Sequence, residues 1–348
     1  MRRILLAALF LITATTASAG IAAGFDAPVE TEGKTCASCR SLDLAINGYG
    51  ISLGNSSRFR GLRLNLVDRD VEDLAGLNLT FWRPGENPDA RMRGIMAGFI
   101  APAADRLEGI SIGGLAVIGG SNISGAAAGG LAVVSDGDID GVALGGLAAV
   151  AEGDISGLCA GGLAAVGDGD AVGFVVGGLA AVVDGDLAGI TAGGLASVTA
   201  GDAVGIMIGG LANVVDGDFS GIQLGGLANV CDGSTAGISA AGLATVVTGE
   251  LAGISASGLL TFAEGNMAGF SASGGAVVSE EGISGITIAG IGTLYTPERS
   301  QDENSFNFRS SYAGIRARNA EWITLHGFDV RIEDELRGLG AAGLCVRA

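Results

Sequence analysis

The sequence predicts an all-β chain, a parallel β-solenoid of 16-residue coils with irregular capping coils at both ends. Three observations carry this. Residues 109–300 divide into twelve consecutive units of sixteen residues, with no insertion or deletion. A fixed period this short marks stacked repeats. Each unit opens with glycine, from Gly109 and Gly125 through to Gly285, and most hold three or four glycines. Each glycine costs a helix about 0.8–1 kcal/mol relative to alanine. Positions 2, 4, 6, 8 and 10 of the unit are apolar or small, as in GIMIGGLANVVDGDFS at residues 205–220. Such alternation is the two-residue period of a strand.

Two turns per coil are readable. The Asp-Gly pairs at positions 12 and 13 (Asp136-Gly137, Asp168-Gly169, Asp184-Gly185, Asp216-Gly217) are turn chemistry, since Gly takes positive φ and Asp bonds nearby backbone. The Gly-Gly at positions 5 and 6 supplies the other. Position 6 is Gly throughout, whereas position 5 becomes Ala241, Ser257, Ser273 and Ala289. That contrast predicts positive φ or close backbone packing at position 6 only. Twelve stacked coils would extend roughly 55–60 Å. The alternative is an antiparallel meander or β-barrel in which each unit is one strand and Asp-Gly a hairpin turn. A membrane barrel needs aromatic girdles and a polar interior, but aromatics are 5% of this chain. The same unit also recurs, where hairpins would alternate two kinds.

Residues 1–19 read as a secretory signal peptide: Arg2 and Arg3, an apolar run, then Ala17-Ser18-Ala19. The run is too short to span a bilayer. Residues 20–47 form a polar leader containing Cys36 and Cys39. In an oxidising compartment these two and Cys345 are the disulfide candidates. Arg40 follows Cys39, which excludes a haem-attachment motif. Cys159 and Cys231 fit as small apolar fillers. Residues 48–108 repeat the grammar more roughly and read as an N-terminal cap with irregular coils, since terminal repeats are usually atypical. Arginines concentrate there (Arg58, Arg60, Arg63, Arg69, Arg83, Arg91, Arg93, Arg106) among Asp68, Asp70, Glu72 and Asp73. That interleaving predicts a solvated cap face. Residues 301–348 read as a polar loop and C-terminal capping strands.

The formal net charge is −18 and the pI about 4.3, which argues against a nucleic-acid partner. A mean hydropathy of +0.50 does not signal spanning helices, because no second apolar run of spanning length occurs. Catalytic signals are weak. His326 is the sole histidine, no nucleophile elbow accompanies it, and Lys34 is the sole lysine. No catalytic or cofactor-binding residue is assigned, and the chain reads as no enzyme.

The acidic turns are the one candidate ligand site. In a solenoid, Asp138, Asp154, Asp170, Asp186, Asp202 and Asp218 stand in one column, with Asp136, Glu152, Asp168 and Asp184 beside it. Like charges about 5 Å apart repel by roughly 1 kcal/mol per pair even in water. Calcium would relieve this by taking several carboxylate and carbonyl oxygens. A solvated acidic edge that keeps the coils soluble is the competing reading. Polar residues at position 9 (Ser197, Asn213, Asn229, Thr245, Thr261) and position 3 (Ser239, Ser255, Ser271, Thr287) would form ladders on part of one face, hydrogen-bonded between coils.

The units GIMIGGLANV and GIQLGGLANV, with the earlier GLRLNLV and the recurrent xGDxxG linker, resemble the bacterial surface repeat-containing proteins built from G-hydrophobic-Q-hydrophobic-G-G-L-x-N-V units. The family's Gln and Asn match at Gln223, Asn213 and Asn229. The resemblance implies an exported, surface-associated protein and brings no catalytic residues. The expected function is therefore a non-enzymatic exported scaffold of the periplasm, cell surface or medium, adhesive or matrix-forming. The rival is an outer-membrane β-barrel with a pore or transport role.

Overall fold

The computed structural model describes residues 41–46, 49–82, 87, 89–295, 307–311, 314–326, 329–342 and 345–347, with backbone alone for Ala45 and from Thr293 onward. Every pairing among the described strands is parallel except one, between Ser41–Ile46 and Tyr49–Gly54. The chain is a parallel β-solenoid with coils of about 16 residues and about 14 turns. An antiparallel meander or barrel would need hairpin pairing, so that alternative is set aside.

One coil shows how the unit folds. Strand Ala203–Gly209 is followed by a turn at residues 210–211, strand Ala212–Val215, and a second turn at residues 216–217. The next coil lies alongside in register, Gly205 beside Gly221, Met207 beside Gln223 and Asn213 beside Asn229. Both turns fall where the glycines predict them.

A third corner lies inside the longer strand, at position 1. There Gly205 has φ +133° and Gly221 φ +141°, and the same holds at every unit's first glycine. A Cβ on Gly205 would stand 2.0 Å from the carbonyl oxygen of Gly189 in the preceding coil. Both strain and contact therefore exclude any other residue. Position 6 meets the second of its two expected causes: it lacks positive φ, but a Cβ on Gly178 would lie 1.9 Å from the Gly162 oxygen of the coil beneath, and such close packing is shared with positions 1 and 5 and not confined to position 6. Close packing, rather than backbone handedness, excludes a side chain there. At position 5, a Cβ on Gly177 would meet the Ala180 oxygen of its own turn at 1.7 Å. That contact can open without disturbing the stack, and Ala241 occupies the same place four coils later.

Strand alternation assigns positions 3, 5, 9, 11 and 15 to the interior and positions 2, 4 and 7 to the outside. Met207, Val215 and Phe219 are buried, while Ile208 and Leu211 are exposed. The early coils fill the interior with small apolar groups such as Ala143, Ala149, Ala151 and Ala165. From Thr191 the interior turns polar, with Ser197, Asn213, Gln223, Asn229, Thr245 and Thr261 all buried. The polar ladders thus stand inside the coil, not on an outer face. Asn213 donates to Asn229 Oδ1 at 3.0 Å, and Asn229 donates to Ser239 Oγ at 3.0 Å and the Ala240 carbonyl at 2.9 Å. The hydroxyls of Thr191, Thr199 and Thr245 have no protein partner.

The N-terminal coils keep the register, with Gly61, Gly76, Gly94 and Gly109 side by side. Arg63 departs from the solvated-face expectation. It lies in the inward column beside Asn78, pairs with buried Asp68, and donates to Asn78 Oδ1 at 3.0 Å and Asn55 Oδ1 at 2.9 Å. Thr80 and Asn65 complete the Asp68 contacts. Arg58, Arg91 and Arg93 pair near the surface with Glu72, Glu108 and Asp73. Arg83 lies outside the described residues. At the other end, strands Gly314–His326 and Asp329–Ala342 stack in parallel, with a register shift between Ala317 and Asn319, and Cys345–Arg347 stacks on them.

Two sets of variants test this packing by thermal melts followed by circular dichroism. Gly173→Ala meets positive φ and a stacked carbonyl together, so it is expected to cost more than about 2 kcal/mol. Gly178→Ala should cost less, and Gly177→Ala least. Asn229→Ala should lose about 1–3 kcal/mol by removing the acceptor of the Asn213 amide and the donor to Ser239 and the Ala240 carbonyl, whereas Thr245→Val should be neutral or stabilising.

Candidate functional site

Two outer features recur coil after coil: the acidic corner at positions 12–14, and apolar columns at positions 2, 4 and 7. Gly at position 13 lacks the positive φ expected of it; what it supplies at the corner is room for the coil beside it. A Cβ on Gly185 would touch Asp170 Oδ1 at 2.4 Å. At position 14 the six calcium candidates do form one column. Each carboxylate accepts the backbone N–H of its successor: Asp154 N–H to Asp138 Oδ1 at 2.9 Å, Asp170 to Asp154 at 2.9 Å, and Asp186 to Asp170 at 2.8 Å. The chain of bonds continues from Asp202 to Asp186, Asp218 to Asp202, and Ser234 to Asp218. Here the backbone has left the sheet ladder, and a carboxylate oxygen replaces the carbonyl that would otherwise accept. Buried or turned-out N–H groups need such a partner. Ser234 Oγ does the same for Glu250 N–H at 3.2 Å. A side-chain acceptor thus persists where Asp is lost.

One oxygen of each Asp is committed to backbone, which lowers the number free for a cation. Among the described residues, no group of three or more His, Cys, Asp or Glu side chains comes together as a metal site. In the neighbouring column, Asp168 is raised above the usual carboxylate range by burial and then by the Asp184 charge. Asp216 is raised by burial and then by Asp232. Both groups therefore oppose folding when ionised.

Cys159 and Cys231 are buried in the interior as free thiols. Burial pushes Cys159 up to about 12 and also raises Cys231, so both stay protonated and unreactive. Cys36 and Cys39 lie outside the described residues. Cys345 is placed by backbone alone, in register with Asp329. His326 likewise is known by its backbone, between Ser311 and Ala342.

The apolar columns are the feature that sequence periodicity alone did not assign to the surface. Leu131, Leu147, Leu163, Leu179, Leu195 and Leu211 stand at position 7 of successive coils, each 46–47% exposed. Position 2 adds Val142, Phe174, Ile222, Ile238 and Ile254, and position 4 adds Ile112, Leu144, Val176, Ile208 and Leu224. Side chains of this kind are usually buried, and a contiguous exposed patch beyond a few hundred Å² marks an interaction surface. Comparisons with protein-family models, curated proteins and solved structures found no match.

Asp170→Asn keeps a carbonyl acceptor at the corner and should melt close to wild type; Asp170→Ala should melt about 1–2 °C lower. Isothermal titration with calcium is expected to give no saturable heat beyond that of matched ionic strength. Saturable heat lost in Asp170→Asn with Asp186→Asn would instead establish a metal column. The raised Asp168 and Asp216 set the sign of a pH effect. A carboxylate whose folded pKa exceeds its unfolded value holds extra protons when folded, so its contribution worsens as pH rises through that interval. Asp168→Asn should therefore raise Tm at pH 7 in low salt, with a smaller gain at high salt, as read by scanning calorimetry.

Proposed function

We propose that this chain is an exported, non-enzymatic repeat scaffold that works at the cell surface or in the surrounding medium through its outer columns. The observation that carries this reading is the run of exposed Leu, Ile and Val side chains along successive coils. A solenoid presents such a surface as an extended strip, with every coil offering the same contacts. The acidic corner is tied to the backbone by its own hydrogen bonds, which gives it a structural role. Residues 1–19 have the charged start, apolar run and small-residue end of a secretory signal. The resemblance of residues 61–348 to bacterial surface repeats, fullest over residues 109–269, points the same way. The rival pore or transport role rested on a barrel, and with parallel coils it loses its basis.

Fractionation of expressing cells, with protease shaving of intact cells and mass spectrometry of the N-terminus, tests the reading. The expected result is a chain beginning near Gly20, recovered from the medium or accessible to protease at the surface. Recovery in the cytosol alone, with residues 1–19 still attached, would overturn it.

A further inference from the structure

The outward row at position 4 holds a second period. Ile112, Leu144, Val176 and Ile208 are 37–49% exposed, while Ala128, Ala160 and Ala192 lie between them, one to each intervening coil. Coils stack about 4.8 Å apart, so knobs and holes alternate with a repeat of about 9.6 Å. The register is explicit: Ala128 sits beside Leu144, Leu144 beside Ala160, and Ala160 beside Val176. Further along, Leu224 and Ile288 bound a trough of about 650 Å³ floored by Ala240, Ala256 and Ala272.

We propose that this face, positions 2–7 of the coils, binds a second copy of the same chain. The row is self-complementary. With the two copies antiparallel about a two-fold axis between the coils of Leu144 and Ala160, Ile112 of one meets Ala192 of the other. Leu144 meets Ala160, and Val176 meets Ala128. Every such pair occurs twice, as an isologous interface requires. The columns at positions 2, 4 and 7 include more than twenty large apolar side chains about two-fifths to three-fifths exposed. At about 25 cal/mol per Å² and 1.5–3 kcal/mol for a whole side chain, they amount to on the order of 1,000 Å² of apolar surface. A standard interface takes about 800 Å² per partner. The acidic corner does not oppose the contact, since a turn and a bend of the coil separate positions 12–14 from positions 2–5 on either side. A lipid surface would impose no two-coil period. The inference does not rest on the export reading, because purified protein shows the association whatever its compartment.

Sedimentation velocity of the full chain at micromolar concentration tests it. Wild type should sediment as a dimer. Ala160→Arg fills a hole with a charge and should give monomer with an unchanged circular-dichroism spectrum; Ala192→Arg repeats the test should that variant fail to fold. Val166→Arg, on the other sheet at position 10, should remain dimeric. Wild-type monomer at about 100 times that concentration overturns the proposal, as does a dimer lost in Val166→Arg and kept in Ala160→Arg. Co-sedimentation of monomeric wild type with phosphatidylcholine or phosphatidylglycerol vesicles, abolished by Ala160→Arg, would overturn it in favour of a lipid surface.

Discussion

Everything in this fold depends on how closely one coil's backbone can lie on the next at the glycine corners. At position 1 the missing Cβ is replaced by a neighbouring carbonyl oxygen, 2.0 Å from where the Cβ of Gly205 or Gly221 would stand. The contact repeats from Gly61 to Gly285. It fixes the register at sixteen residues in the central coils and fifteen at Gly94. A one-residue slip would turn every side chain to the opposite face. The corner glycines therefore settle which side chains meet inside and which remain outside.

The resulting partition puts large apolar side chains outside the coil as well as inside it. Strands of seven and four residues enclose a narrow interior, and few large side chains fit across it. Alanine, serine and threonine fill much of it, and Phe219, Met207, Met267, Leu187, Ile123, Ile139 and Ile155 are among the larger groups it holds. Asn213 and Asn229 follow the same logic: the Asn213 amide donates to Asn229 Oδ1, and the Asn229 amide donates to the Gln223 main-chain carbonyl. Leu, Ile and Val stand on both sides: Ile123, Ile139, Ile155, Leu187 and Val215 are buried, while the Leu column at position 7 and the large apolar groups at positions 2 and 4 face outward. From Glu152 to Glu281 every Asp and Glu falls at positions 12–14, the corner where the backbone itself takes a carboxylate acceptor. Surface hydrophobicity and acidic edge are two consequences of a single coil geometry.

Much of this was legible in the residues. The sixteen-residue period, the strand class and the two Gly-containing turns follow from Gly221–Gly226 and Asp216–Gly217 alone. The third corner was not, because an invariant glycine at position 1 reads equally as spacing or as handedness until φ is known. Facing was harder. Both alternating sets are apolar or small over the early coils, so parity carries no hydropathy signal there. Where position 3 or 9 becomes Gln223 or Asn229, polarity argues for the wrong side. Arg63 misled for the same reason: a charged residue among Asp68 and Asp70 suggests solvent, yet Asp68 is its buried partner. The Asp column was visible as a column, but its backbone acceptor role required knowing that the N–H of Asp154 points at Asp138.

This partition is open to direct chemical measurement. Single cysteines placed at Val204, Met207, Leu211 and Val215, in a chain whose native cysteines are replaced by alanine, would be titrated with iodoacetamide under native conditions. Val204 and Leu211 are 57% and 46% exposed, while Met207 and Val215 are fully buried. Cysteines at 204 and 211 should react at nearly the rate of the unfolded chain, and those at 207 and 215 at least about 100-fold more slowly, limited by opening of the fold. Fast reaction at 207 and 215 with protection at 204 and 211 would contradict the register on which the whole structure rests.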